Sequence, residues 1–211
     1  MTYFELMNKV LLELGLNMLD KFENAYKNEH FRILEALKTA NENVCRALDW
    51  EFLKIKVVKN VEKGSSFKVF EDLERVISAK LDGKTLTYDK NYIKNGFKLS
   101  GPNFWGYGGD GKIEFFEAKK DSIMEITYRT KYFAIGENGE RKPNFELAED
   151  KSVLPSLAKN LLVYDACMLT KSPTVPKYAV WERERKNAMR NLIFSSAVCA
   201  EVDPAIRLKR G

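Results

Sequence analysis

In Arg46-Ala47-Leu48-Asp49-Trp50-Glu51-Phe52-Leu53-Lys54-Ile55-Lys56-Val57 the spacing of apolar residues changes from a helical to a strand period. Upstream of Trp50, the residues Phe31, Leu34, Leu37, Val44 and Leu48 recur at intervals of three, four and seven residues. They predict a helix over about residues 29–48, with Asn41 and Asn43 inside it. Downstream, Leu53, Ile55 and Val57 alternate with Lys54 and Lys56, which predicts a half-buried strand.

The strand period persists toward the C-terminus. Phe67 and Val69 suggest a further strand, and Ile77, Ala79 and Leu81 lead into Asp82-Gly83, a hairpin signal returning through Leu86 and Tyr88. Tyr92 and Ile93 reach a second signal, Asn95-Gly96, followed by Phe97 and Leu99. Ile113 to Phe116, a turn at residues 119–122, and Met124, Ile126 and Tyr128 complete a meander of short antiparallel strands, not alternating βαβ units. The region 136–150 reads as a polar loop.

Helical spacing frames this middle on both sides. At the N-terminus, Thr2 and Glu5 have the spacing of a capping box, Met7, Val10, Leu11 and Leu14 share a face, and Gly15 supplies the stop. After Pro155, Leu157, Leu161, Tyr164 and Met168 share a face. Beyond Pro173 and Pro176 a last helix turns Tyr178, Trp181, Ala188 and Leu192 inward, with Glu182, Arg183, Lys186 and Arg190 outward. The expected fold is α+β: an antiparallel helical body of about four helices from residues 1–50 and 151–200, an inserted antiparallel β-rich subdomain over 51–147, and a flexible C-terminal tail over 203–211.

A chain of 211 residues buries roughly 70% of its unfolded surface, enough for a core without staples. With 45% hydrophobic and 31% charged residues it is composed as a globular protein, not a disordered one. No run of eighteen apolar residues exists, so no membrane helix is expected, and Met1-Thr2-Tyr3-Phe4-Glu5 lacks the basic start of a secretory leader. Cys45, Cys167 and Cys199, odd in number and far apart, read as buried thiols of a reducing cytosol. The net charge of +5 comes from interspersed signs, the pattern of a solvated surface more than of a nucleic-acid footprint.

Residues that would carry catalysis are sparse. The single histidine, His30, lies in a helix-start context and reads as a surface or cap residue; no C-x₂-C or H-x₃-H pair offers a metal site. Gly106-Tyr107-Gly108-Gly109-Asp110-Gly111 spells G-x-G-x-x-G, but strand-like Lys112-Ile113-Glu114-Phe115 follows where a phosphate site needs a helix. The expectation is therefore a protein without catalytic, cofactor or metal residues that works by assembling with other chains. The alternatives are a virion-associated hydrolase of peptidoglycan or nucleic acid, built on an unmarked carboxylate pair, and a small nucleic-acid-binding module, marked by a basic stripe.

Three blocks carry a resemblance. They are Glu5-Leu6-Met7-Asn8-Lys9-Val10-Leu11-Leu12-Glu13-Leu14-Gly15; Ala36 to Phe52, with Trp50 at its exit; and Leu154-Pro155 to Tyr164-Asp165-Ala166 followed by Tyr178-Ala179-Val180-Trp181-Glu182-Arg183-Glu184. In kind and order they resemble the opening helix, second helix and closing helix pair of the phage head–tail adaptor family, the podovirus tail tubular and head-completion proteins that bind the portal. The resemblance implies a virion protein assembled in the host cytoplasm. Its partners would be the portal protein, tail proteins and copies of itself in a dodecameric ring, with genomic DNA passing through the channel without sequence-specific binding and no membrane involved.

Two segments are candidate partner contacts. The glycine-rich stretch 101–111 reads as a mobile hairpin loop exposing Phe104, Trp105 and Tyr107, aromatic anchors for a neighbour; a surface loop packed on its own sheet is the bland alternative. After Asp203-Pro204, the tail carries Ile206 and Leu208 against Arg207, Lys209 and Arg210, a pattern suited to edge addition or insertion into a groove. The resemblance implies the portal as the tail's partner.

Overall fold

The computed structural model describes residues 1–62, 70–88, 93–94, 97–98, 104–107, 113–115 and 121–201. The fold is α+β, and it divides into two compact units. The helical unit comprises residues 1–53 and the described residues from 132 onward; the β unit is the insert, residues 54–131.

The helical unit holds α1 (Tyr3–Glu13), α2 (Asn28–Ala47), α3 (Lys159–Thr170) and α4 (Tyr178–Glu201). The capping box at the start of α1 forms as expected. The Glu5 amide donates to Thr2 Oγ1 at 3.2 Å and the Thr2 amide donates to Glu5 Oε2 at 2.8 Å. At its end Gly15 adopts φ +72°, the Gly15 amide donates to the Leu12 carbonyl at 3.0 Å and the Leu16 amide to the Leu11 carbonyl at 2.9 Å, which is a Schellman stop. Tyr3, Leu6, Met7, Val10 and Leu11 form its buried stripe. α3 packs against each of the other three helices, so it is the axis of this core.

In α2 the buried face is Ile33, Leu34, Leu37, Ala40, Asn41, Val44 and Cys45. Phe31 and Leu48, expected on that face, are 53% and 42% exposed. Leu48 is the C-cap with extended backbone, so it has left the helical phase, while His30 and Ile33, not Phe31, sit in register with Leu37 and Ala40. Leu157 is likewise 67% exposed, not inward. It belongs to a tight 3₁₀ turn, Ser156–Ala158, that precedes α3 and has a different period.

Residues 132–147, expected in the insert, pack in the helical unit. The reason is burial: Phe133, Ala134 and Phe145 join the helical core, and Phe145 stacks on Tyr3 with ring centres 4.6 Å apart. Nor is 136–150 merely a loop. Next in chain order after the eight strands of the β unit, β9 (Ala134–Ile135), β10 (Arg141–Lys142) and β11 (Lys151–Ser152) form a small antiparallel sheet in the order β10-β9-β11.

The β unit contains β1 (Lys54–Val61), β2 (Leu73–Leu81), β3 (Lys84–Tyr88), β4 (Ile93–Lys94), β5 (Phe97–Lys98), β6 (Phe104–Tyr107), β7 (Ile113–Phe115) and β8 (Ser122–Thr130). Six of them form one sheet in the order β1-β8-β2-β3-β6-β7. All its pairs are antiparallel except β3 with β6, which run parallel, so the sheet is mixed. Asp82 and Gly83 both take positive φ, 47° and 77°, the geometry of a type I′ turn between β2 and β3. β4 and β5 pair on either side of residues 95–96. The sheet buries Val61, Ala79, Leu86, Trp105, Met124, Ile126 and Tyr128 on one face. The expected strand at Phe67 and Val69 lies outside the described residues.

Ile77 corrects the simple alternation expected of β2. The register passes from Val76↔Tyr128 to Ser78↔Thr127, so Ile77 is the extra residue of a bulge. It is 42% exposed, whereas Val76 packs against the sheet's core together with Ala79 and Leu81.

Candidate functional site

The backbone at 104–107 is a strand, β6, not the loop the glycines suggested; the side chains of Phe104 and Tyr107 lie outside the described residues. Trp105 is 5% exposed. The Trp105 ring lies 4.8 Å from that of Tyr88, and both line a cleft of about 430 Å³ with Val76, Ile77, Leu86 and Arg75. Two features open this cleft. β2 pairs with β3 only from Ala79 to Leu81, and β3 then pairs with β6 through Thr87 and Tyr88. Trp105 is buried in its own sheet, while Tyr88 beside it is 51% exposed. Of the glycine-rich stretch around it, residues 101–103 and 108–111 lie outside the described residues. So do Ile206, Arg207, Leu208, Lys209 and Arg210, the candidate contacts of the tail.

His30 fills the cap role expected of it. Its Nδ1 accepts the Lys27 amide at 3.5 Å, at the start of α2. Burial pushes the Cys167 thiol up to about 12, and the neighbouring Glu13 adds to the effect, so this sulfur is a packed core atom and not a thiolate nucleophile. Burial likewise raises the Tyr3 hydroxyl far above its ordinary value, with Glu35 and Asp150 adding to it; the hydroxyl donates to the Leu34 carbonyl at 2.8 Å. Among the described residues no group of three or more His, Cys, Asp or Glu gathers as a metal site, and no helix is long and apolar enough to cross a membrane.

The helical unit has polar anchors that the apolar pattern did not reveal. Asn41, fully buried, donates to the Phe133 carbonyl at 3.0 Å and to Asn144 Oδ1 at 3.1 Å, and accepts from Ser152 Oγ at 2.6 Å. It fastens the returning segment to α2. Asp150, also fully buried, accepts the amides of Glu146 and Leu147 at 2.7 and 2.8 Å and Lys142 Nζ at 2.9 Å. Burial opposes its ionisation, but the Leu147 and Glu146 amides and the Lys142 ammonium outweigh that and hold the carboxyl below its ordinary value. The result is a rigid turn with Glu146, Leu147 and Glu149 facing outward. An Asn inside a helical run and a lone Asp before a strand are common in sequences, and neither announces such a network.

α4 packs along α3, with Trp181 and Leu192 in the core and Tyr178, Ala188 and Met189 partly buried against it. The Trp181 indole, 2% exposed, donates to Glu13 Oε2 at 3.2 Å, Leu192 is buried, and Arg185 pairs with Asp165 of α3. Burial raises the Asp165 carboxyl above its ordinary value against the pull of Arg185. The opposite side of α4 carries Val180, Arg183, Lys186, Arg190 and Phe194, all exposed.

No model of a known protein family matches the chain, and a search of curated proteins finds no significant match.

Proposed function

We propose that the protein is a structural head–tail adaptor of a tailed phage, which adds to the portal vertex as a ring, extends the DNA channel and offers the tail a docking platform. The observation that carries this reading is the discontinuous helical unit. Helices from both ends of the chain build one body, and a β unit is inserted between them, which is the organisation that the resemblance implies. The three blocks of that resemblance do structural work here. The first is the α1 stripe with its Gly15 stop. The second ends at Trp50, 3% exposed, whose indole donates to the Val44 carbonyl at 2.7 Å and closes α2. The third is the α3–α4 pair. On this reading the working surfaces are contacts with protein, and binding of the portal, of tail proteins and of neighbouring copies replaces chemistry.

Mixing the purified protein with its portal and imaging the product by electron microscopy tests the proposal. The expected product is a portal bearing an added ring. A portal left bare at saturating protein overturns it. The free protein is expected to sediment as a monomer or a weak associate, and a stable free dimer that does not engage the portal counts equally against the reading.

A further inference from the structure

Two surfaces of the helical unit carry opposite charge, and each presents an unpartnered apolar side chain. The first is the outer face of α4. Arg183, Arg190 and Phe194 lie seven and four residues apart along it, and so share a face about 16 Å long. Phe194 is 63% exposed, and Arg190 has no ion pair among the described residues. Arg183 is held beside Glu184 at 3.1 Å but stays exposed.

The second surface is the turn that Asp150 holds. Glu146 and Glu149 are exposed with no ion pair among the described residues, and Leu147 between them is 57% exposed. Glu137 and Glu140 are exposed as well, Glu140 lying 3.6 Å from Lys142. This turn is tied to the start of α1, where the Tyr3 and Phe4 amides donate to the Asp150 and Ala148 carbonyls at 2.7 and 3.1 Å. α4 instead packs on α3 and on the turn at 156–158.

Both surfaces are built on regular or hydrogen-bonded backbone, so ordering them on contact costs little. A leucine and a phenylalanine left in water on such rigid supports gain by being covered. A surface and its complement at different places on one chain can join copies head to tail, and such a contact repeats into a ring or a filament; reciprocal pairing about a two-fold axis needs both surfaces on one side of the molecule.

We infer that the outer face of α4 in one copy, through Arg183, Arg190 and Phe194, docks on Glu146, Leu147 and Glu149 of the next copy. This takes from the adaptor reading only that copies of the chain stand side by side. The partner is a second copy because each patch finds its complement in charge, and its apolar counterpart, on the same molecule.

Two reversed-charge variants test it: Arg183→Glu with Arg190→Glu, and Glu146→Lys with Glu149→Lys. Sedimentation of the wild type over a concentration series should show association that weakens with added salt. Each double variant alone should associate on the order of 100-fold more weakly. An equimolar mixture of the two should recover the association, because every copy then meets its complement on both sides. All four residues are exposed, so the circular dichroism of each variant should match the wild type. Association unchanged in both variants, or no recovery in the mixture, overturns the interface. Where the free wild type is monomeric throughout, the same three samples are read on the portal by electron microscopy. Rings that survive both reversals overturn the interface and leave the adaptor reading standing. Recovery in the mixture in solution, with the portal left bare, does the reverse, and a monomeric wild type that leaves the portal bare overturns both.

Discussion

The helical unit and the β unit bury their apolar residues in different ways. In the helical unit, α3 is covered by three helices, and the core continues through Phe133, Ala134, Phe145 and Leu154 of the returning segment. In the β unit one sheet buries one face. Its β1 has only Val61 fully buried, while Val58 and Ile123 on the other face are 56% and 50% exposed. Polar closure differs too. Asn41, Ser152 and Asp150 are fastened inside the helical unit, with relative exposures of 0%, 6% and 0%. In the comparable cluster of the sheet, Tyr128 and Thr130, 3% and 0% exposed, donate to Asp72 at 2.9 Å, and the acceptor Asp72 is half-buried where Asp150 is fully buried. A many-sided core loses more when one residue is deleted, because fewer neighbours can relax toward solvent.

The largest expected effect follows directly. Leu37→Ala, at a fully buried position of α2, should lower stability by about 3 kcal/mol, and Met124→Ala, at the centre of the sheet, by about 2 kcal/mol. Urea unfolding followed by far-ultraviolet circular dichroism measures both. Equal losses would break the comparison. Two separate transitions, with each variant moving a different one, would sharpen it into two units that unfold independently.

The parts of this fold that were legible in the sequence share one property: the signal is local. The Thr2–Glu5 capping box, the Gly15 stop, the Asp82-Gly83 turn and the alternation of Met124, Ile126 and Tyr128 are each specified within a few residues, and each forms. What was illegible depends on partners far along the chain. Phe145 belongs to the helical core because it meets Tyr3, and nothing near residue 145 says so. Trp105 reads as a loop aromatic among glycines and becomes a buried strand residue only because Tyr88 and the edge of β3 lie beside it. The candidate contact surface of the helical unit was half visible: the outward Arg183 and Arg190 follow from helical phase, whereas Glu146 and Glu149 face outward because a buried Asp150 turns the backbone.

Asp150 gives the next effect and a pH dependence that belongs to the helical unit. Replacing it by Asn leaves the Glu146 and Leu147 amides and Lys142 with a weaker acceptor and should cost about 2 kcal/mol. Its carboxyl is held below its ordinary value of 3.8 in the folded protein. The stability it contributes is therefore fully present above that value and lost as pH falls through the lower folded-state value. Unfolding of the wild type should steepen with acid below about pH 4, and Asp150→Asn should flatten that fall. The Asp165 carboxyl, raised by burial, works in the opposite sense. Its protonated form is favoured by folding, so its penalty grows as pH rises through the raised value. Asp165→Asn should leave the acid limb below that range as steep as in the wild type. An acid limb unchanged by Asp150→Asn would show that the turn is not held by that carboxylate.

The smallest effect lies in the β unit and isolates the bulge. Val76 and Ile77 are adjacent and β-branched, and alternation along the sequence favours Ile77 as the core residue, but the register shift from Val76↔Tyr128 to Ser78↔Thr127 reverses their environments. Val76 packs against the core that includes Tyr128 and Ile126. Removing two methyl groups there loses partly buried apolar area, about 1 kcal/mol for a half-buried site. Ile77, 42% exposed at the bulge, leaves no closed cavity when truncated, so Ile77→Ala should cost under about 0.5 kcal/mol. A bulge tolerates Ala because the extra residue is outside the ladder and its backbone need not stay fully extended. Without the bulge, strict alternation along β2 would put Ile77 in line with Ala79 and Leu81, and the ranking would invert, with Ile77→Ala the costlier change. The order of the two losses in urea unfolding therefore reads the register of β2 directly, independent of the absolute size of either.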